Sequence, residues 1–435
     1  MKSQNKNPGS RLSLRNILVF AAILSLLLIY PLLWLRVIAD PAQRTAADFL
    51  PFYAAGRIAI TQGMSKVYDW ESQRQAENGI LDETIRQMLV SNGQPVNPQD
   101  IAPPIQSTEV NPFPHPPFIV PLLMLVAQLD YLPAFITWSI LMSLIFILSA
   151  ILLVRLVPQA HERDRWVLLL GTVLFFPAFF SIINGQDTAL LLLGASAWVY
   201  GLFQEREQLS GLGLALTMIR PHMAVMMALP FLFKRRKVWW WFCMGAGALL
   251  LISVLLLGWT GIENFLRILA TSANGEGNKF FNEDLMVNLI GFLRRTFPSM
   301  QASLVRQFGW AGYAIALVYL CVVWVKNAEI RERQIGLAVV ITIIGVPHIH
   351  YHDLALLLIP IYCIVRIVLA KNLLKTGQAV LLPLGVSFVL FASFLLLPAL
   401  KYIVFYVLII LILVALWRPE ILIFWNRPDK HAMLQ

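Results

Sequence analysis

Long apolar runs alternate with short polar gaps along almost the whole chain, and the gaps collect the charges, prolines and glycines. A membrane-crossing helix needs about 20 mostly apolar residues, with a working range of ~17 to 25. Twelve runs approach that length: Ile17 to Ile38, Pro114 to Leu129, Pro133 to Val157, Trp166 to Ile183, Thr188 to Phe203, Gly211 to Phe233, Trp239 to Leu257, Phe308 to Val325, Ile335 to Val346, Leu354 to Leu369, Ala379 to Leu397 and Tyr402 to Trp417. The pattern predicts an all-α polytopic membrane protein with about twelve transmembrane helices. The first run follows a basic stretch, as a secretory signal would. It is long, holds Arg36, and leaves through Val37-Ile38-Ala39-Asp40-Pro41 with no small-x-small cleavage site, so it reads as an uncleaved helix.

These runs define one transmembrane domain over residues 17–417, between a cytoplasmic segment 1–16 and a cytoplasmic tail 418–435. Residues 39–113 form a large outer loop after the first helix. It carries nine acids (Asp40, Asp48, Asp69, Glu71, Glu77, Asp82, Glu83, Asp100, Glu109) against five bases (Arg44, Arg57, Lys66, Arg74, Arg86). Within it, Ala46 to Gln75 has helical spacing suited to amphipathic helices on the outer membrane face, and Val90 to Pro117 is Pro-rich and irregular. A second outer loop, 258–307, holds an interfacial helix near Leu285 to Phe297. One alternative is open: if Pro114 to Leu129 only dips into the bilayer, Arg155, Arg163 and Arg165 fall inside and Gly211 to Phe233 is a hairpin broken at Arg220-Pro221. Twelve full crossings are preferred because Gly211 to Phe233 is long enough to span.

Composition excludes a soluble fold. Of 435 residues, 58% are hydrophobic and 13% charged, against ~25% charged in ordinary globular chains. Cys243, Cys321 and Cys363 lie singly in apolar runs and read as small core residues, not a disulfide framework. The net charge of +10 gathers at the ends of apolar runs, above all at Lys2, Lys6, Arg11 and Arg15 and at Lys234-Arg235-Arg236-Lys237. That is a membrane-insertion signature and not a nucleic-acid one. No Walker A loop, Gly-x-Gly-x-x-Gly, Gly-x-Ser-x-Gly or His-Glu-x-x-His occurs, so a nucleotide-driven pump and a familiar hydrolase are unsupported.

Several residues resist the membrane pattern. A charge at mid-bilayer costs roughly 2.5 to 3.5 kcal/mol, and Arg220 sits about 15 Å from either end of its run at ~1.5 Å per residue. It is either an anion-binding guanidinium facing a water-filled cavity or an arginine paired with a carboxylate of another helix. Asp48, beside Phe49, Phe52 and Tyr53, is placed for the partial desolvation that makes a carboxylate a useful general base. The plainer reading is a helix N-cap. His348, His350 and His352 alternate, so an extended backbone would line them up on one face. No Cys or second carboxylate at ligand spacing supports a metal there; proton transfer or hydrogen bonding to a polar substrate is favoured over a plain interfacial turn. Asn184-Gly-Gln-Asp187 reads as a tight turn, and Phe113-Pro-His-Pro-Pro-Phe118, with His115, as a rigid helix entry.

Taken in order, these pieces resemble glycosyltransferase family 87, membrane glycosyltransferases of the GT-C type that include bacterial phosphatidylinositol-mannoside mannosyltransferases. The resemblance runs through Asp48-Phe49, Tyr53, Gly56, Gly63, Tyr68-Asp69, Phe113 to Phe118, Pro121-Leu122, Leu132-Pro133-Ala134, Trp138, Pro177, Gly185-Gln186, Gly211, Gly213, Arg220-Pro221, Lys234 to Lys237 and Pro347 to Leu354, and so covers about residues 45 to 360. Two departures stand out: Arg220-Pro221 replaces the family's usual Lys-Pro, and the stretch Glu71 to Asn111 is longer. The resemblance implies a GT-C-like fold. It implies transfer of a hexose, mannose-like, from a polyprenyl-phosphate-linked donor to a lipid or glycan acceptor, with inversion and with no nucleotide, metal or other cofactor. It places the protein in the plasma (inner) membrane with its active site on the periplasmic or extracellular side. In that setting Asp48 would be the general base, and Arg220 with Arg57 would hold the donor phosphate. His348, His350 and His352, with Tyr53, His115 and Gln186, would contact substrate. The competing classes are a lipid-linked-sugar flippase or other transporter, which needs no base, and a non-catalytic scaffold, which needs neither Asp48 nor Arg220.

Overall fold

The computed structural model describes residues 14–91, 111–274, 283–327 and 329–426, and among these every regular element is a helix. In chain order they are α1 (Leu14–Ala39), α2 (Pro41–Thr45), α3 (Phe49–Thr61), α4 (Trp70–Ser91), α5 (Val120–Val126), α6 (Tyr131–Val154), α7 (Glu162–Val173), α8 (Phe176–Ile183), α9 (Thr188–Phe203) and α10 (Glu207–Leu216). They continue as α11 (Pro221–Ala228), α12 (Arg236–Asn274), α13 (Leu289–Thr296), α14 (Ala302–Lys326), α15 (Glu332–Gly345), α16 (Leu358–Ala370), α17 (Thr376–Ala379), α18 (Leu382–Leu396) and α19 (Lys401–Trp417).

Each expected apolar run contains helix, but among the described residues six helices are long and apolar enough to span a membrane, or seven if α7 and α8, bent by 44°, form one broken span. The protein is a multi-pass membrane protein, and the expectation of about twelve full crossings is not met. Proline and glycine explain much of the difference. Arg220 precedes Pro221, whose ring disfavours a helical residue before it; Arg220 takes φ −126° and ψ 83° and the helix restarts with Pro221 at its first position. Gly211 to Phe233 is therefore broken into α10 and α11 and does not cross as one rod. The run Pro114 to Leu129 yields only the short apolar helix Pro117–Val126. Its flanks are tied to the neighbourhood of α3, since the Tyr68 hydroxyl donates to the His115 carbonyl at 2.6 Å and the Tyr53 hydroxyl to the Leu129 carbonyl at 2.9 Å.

The break at Arg220-Pro221 and the short helix within Pro114 to Leu129 are the helix pattern that the open alternative expects. Trp138 of α6 donates through Nε1 to the Gly185 carbonyl at 2.8 Å, which sets the start of α6 beside the start of α9. Both helices then run the same way. At the far end of α9, Glu207 pairs with Lys237 at 3.7 Å, and Arg155, which ends α6, lies toward that same basic end. From Lys234 to Lys237 the chain returns along α12, about 33 Å at ~1.5 Å per residue to Gly258, where φ +63° and ψ −175° kink it. Helix therefore continues to Asn274 through the first part of the expected loop 258–307, and α13 lies within the span expected for an interfacial helix.

The outer segment 39–113 is also not an open loop where it is described. Helices α2, α3 and most of α4 fill it, and α3 is internal instead of lying on the membrane face: Phe49 to Gly56, Ile58 and Ala59 are buried. Gly56 permits this, because a Cβ there would stand 2.7 Å from both the Leu123 carbonyl oxygen and the Ala127 Cβ of the α5 region. The stretch Val90 to Pro117 lies mostly outside the described residues. Cys363 is buried and Cys243 and Cys321 half-buried, all as free thiols.

The alternating directions give a testable topology. In a background lacking Cys243 and Cys321, cysteines replacing Gln62 and Arg236 should react with a membrane-impermeant thiol reagent from opposite faces of sealed vesicles. Labelling of both from one face would rule out these helix directions.

Candidate active site

Two glycines bring the central residues together. Helices α9 and α10 form an antiparallel hairpin, and a Cβ at Gly194 would lie 2.7 Å from the Gly213 carbonyl oxygen, so the backbones touch as small residues allow in membrane bundles. Asp187 immediately precedes α9, and Arg220 follows α10 after the turn Thr217–Ile219. Antiparallel packing puts both at the same end, and the Pro221 break turns the Arg220 side chain off the helix axis toward Asp187.

The result is a buried ion pair. Asp187 is fully enclosed, with Oδ1 2.8 Å from Arg220 Nη2 and Oδ2 accepting from Nη1 at 3.3 Å. Oδ1 makes no well-angled hydrogen bond, so charge more than direction holds that contact. His115 Nδ1 stands 3.0 Å from Asp187 Oδ2 and 2.8 Å from Arg220 Nη1. That nitrogen cannot accept from the guanidinium and donate to the carboxylate at once; in the donating tautomer, Nε2 carries the free lone pair. Gln186 Oε1 accepts from Arg220 Nη2 at 3.3 Å. Burial would raise the Asp187 carboxyl, but Arg220 and His115 together outweigh it and hold the group below the usual carboxylate range. Burial likewise pushes the His115 ring down, against the pull of Asp187.

A second carboxylate closes the other side. Asp353 Oδ1 lies 4.0 Å from Arg220 Nε and accepts from Thr188 Oγ1 at 3.2 Å. Its Oδ2 accepts from the His350 backbone N–H at 3.2 Å and stands 3.4 Å from His352 Nε2. The three alternating histidines form a row, with ring centroids 4.7 Å apart for His348 and His350 and 5.9 Å for His350 and His352. His222 joins them, its Nε2 3.0 Å from the His348 carbonyl oxygen. His348 is surrounded by protein yet keeps an exposed face. Burial lowers the pKa of both His348 and His350, so these two offer neutral donors and acceptors at neutral pH.

Asp48 reaches this cluster through its neighbour. Phe49 packs on Gly185, where φ is +69° and a Cβ would fall 2.5 Å from the Phe49 Cβ. The Asp48 charge acts on both Arg220 and His350. Asp48 is half-buried, and although it occupies the N-cap position of α3, its side chain makes no capping bond. Capping belongs instead to Asp40, which accepts from the Ala42 and Gln43 amides at the start of α2.

The structure therefore gathers Asp48, His115, Gln186, Arg220, His348, His350 and His352, and leaves two expected residues apart. Tyr53 is bonded to the Leu129 carbonyl and its ring meets Tyr131 at 5.1 Å. Arg57 is exposed and approaches only the Ala127 carbonyl, at 3.5 Å. Arg220 is the paired arginine of the two readings, not a free cation. Asp187, Asp353 and His222 had not been singled out. An Asp in a turn before an apolar run looks like a cap, and only the partner across the hairpin distinguishes it; a deep unpaired Arg was the one signal that a buried carboxylate had to exist. Among the described residues no group of three or more His, Cys, Asp or Glu is arranged to hold a metal ion.

The family model described as glycosyltransferase family 87 matches residues 113–347, more than half of the chain. His115, Asp187, Arg220 and His222 lie within it, whereas Asp48 and the histidine row lie outside. No curated protein and no solved structure matches.

Removing one partner of a buried ion pair leaves an uncompensated charge, at about 3 to 5 kcal/mol. Asp187→Asn and Arg220→Met should each lower the thermal unfolding midpoint of the purified protein strongly, while the double variant should lose less than the sum of the two. Strict additivity would show that the two side chains do not depend on each other.

Proposed function

The chain belongs to glycosyltransferase family 87 and is a membrane glycosyltransferase; from that premise we propose that it moves a hexose, mannose-like, from a polyprenyl-phosphate-linked donor to a hydroxyl of a lipid or glycan acceptor. The reaction takes place at the outer face of the plasma membrane and inverts the anomeric carbon, with Asp48 as general base. The observation that carries this reading is the state of the three clustered carboxylates. Asp187 is engaged by Arg220 and His115, and Asp353 by Thr188, His350 and His352. Asp48 alone has no fixed partner among the described residues, and it stands half-open beside the histidine row.

In this scheme Asp48 takes the acceptor hydroxyl proton as the acceptor oxygen attacks the anomeric carbon. The bond from that carbon to the phosphate oxygen breaks through an oxocarbenium-like state, and the phosphate departs with the electron pair on its polyprenyl carrier. A phosphate is already a good leaving group, so a single base suffices. Neutral His348, His350 and His222 bind sugar hydroxyls by donating or accepting, and Gln186 and His115 hold Arg220 in place. Arg220 contributes positive potential to the leaving phosphate, while its Nη1 and Nη2 stay committed to Asp187. Arg57, outside the cluster, takes no part in this step.

The flippase alternative draws no support from the family match, and a flippase requires no base. Transfer of labelled hexose from a synthetic polyprenyl-phosphate donor to membrane-lipid extract should fall about 10²- to 10⁴-fold in Asp48→Asn, with donor binding retained. Wild-type rates in that variant would remove Asp48 from the chemistry.

A further inference from the structure

Arg220 is charge-balanced by Asp187 and faces Asp353, so among the described residues the active-site cluster holds no arginine or lysine free of a carboxylate partner for a lipid phosphate. Such cations occur a short way along the same end of the bundle. Arg295, at the end of α13, lies with its guanidinium carbon 3.7 Å from the Tyr402 ring centroid. Its nitrogens donate to the Asp284 and Met286 carbonyls at 2.5 and 2.7 Å and to the Tyr406 hydroxyl at 2.5 Å. All three acceptors are uncharged, so they orient the guanidinium without neutralising it. Lys401, the first residue of α19, places its Nζ 5.1 Å from the same Tyr402 ring and 4.9 Å from Phe394, and Arg295 is near enough to repel it.

The local carboxylates serve other bases. Glu283 pairs with Arg294 at 3.2 Å and Arg306 at 3.0 Å, and Asp284, mostly exposed, approaches Arg294 at 4.0 Å. A lysine in the first turn of a helix also meets the positive end of the helix dipole. Two like charges held around one ring at a helix start are mutually unfavourable until an anion enters. The surroundings indicate which kind: Leu396, Leu397, Leu400 and Ile403, next to Lys401 in the chain, are exposed apolar residues suited to hydrocarbon.

The patch is continuous with the candidate active site. Val287 donates its amide to the Ile349 carbonyl at 3.2 Å, and Asn288 Nδ2 to the Val346 carbonyl at 2.7 Å, so α13 is fastened to the histidine strand. Tyr351, directly after His350, meets Phe394 at 5.2 Å, and Phe394 carries Lys401.

We infer that Arg295 and Lys401 form a recognition site for the phosphate of a lipid beside the histidine row, with the lipid tail along Leu396, Leu397, Leu400 and Ile403. The shared chemistry is a lipid-borne phosphate, and its source is either a polyprenyl phosphate carrier or an anionic phospholipid. The inference concerns binding and does not require the reaction proposed above.

The test is equilibrium binding to the full-length protein in neutral phosphatidylcholine nanodiscs. The probes are farnesyl phosphate, farnesol as the phosphate-free control, and phosphatidylglycerol. Lys401→Gln should weaken phosphate-bearing probes roughly tenfold, the loss of about one charge-assisted hydrogen bond, and leave farnesol unchanged; Lys401→Arg should retain affinity. Weakening of farnesyl phosphate alone identifies the carrier as the source, and weakening of phosphatidylglycerol identifies phospholipid. Unchanged binding of both phosphate lipids in a folded Lys401→Gln protein overturns the site. Should that variant not fold, wild-type binding of phosphate probes that does not decline with added salt overturns it equally. Sugar transfer is read separately, so its absence would bear on the proposed reaction and not on this site.

Discussion

A guanidinium buried among membrane helices has to meet a carboxylate, and the ion pair between Arg220 and Asp187 is the constraint around which the rest of the site is built. In a medium of low dielectric, an isolated charge is far more expensive than a paired one. The pair can form only if the start of α9 and the end of α10 lie side by side, which the Gly194 and Gly213 contact permits. It also needs the helix to open at position 220, which Pro221 enforces. Once closed, it recruits His115 from the segment before α5 and draws Asp353 to within 4.0 Å. Four separate stretches of the chain are thereby tied at one end of the bundle.

That arrangement divides the work among residues that look alike in sequence. Two carboxylates neutralise and orient; the third, Asp48, is left half-open. His348 and His350 are held neutral by burial, which suits them to hydroxyl groups and unsuits them to a phosphate. Positive charge without a carboxylate partner is found instead at Arg295 and Lys401, out toward the lipid. The aromatic contacts from Tyr351 through Phe394 to Lys401 connect the two environments.

The broken helices follow the same logic. Non-helical backbone inside a membrane protein is tolerated where protein buries it or where it lines a cavity. The breaks at Gly185 and Arg220 and the extended strand before Tyr351 all converge on the ion pair and the histidine row. The short helices α9 and α11 both start at these breaks, directly after Asp187 and Arg220. Glycine at 185 is required for the close seat of Phe49 that carries Asp48 inward.

Membrane class, helical content and the family were legible from the order of residues alone, because hydropathy and short motifs are local properties. So was the anomaly of a deep arginine at 220. The partner of that arginine was not legible, since a turn containing Asn184-Gly-Gln-Asp187 has the same local signature whether its aspartate caps a helix or neutralises a cation in the next hairpin. Nor could run length separate a crossing helix from one interrupted by proline, or show that α3 is buried instead of lying on the surface. Those outcomes depend on which faces meet across the bundle, and burial and ion pairing are settled only when distant segments are in contact.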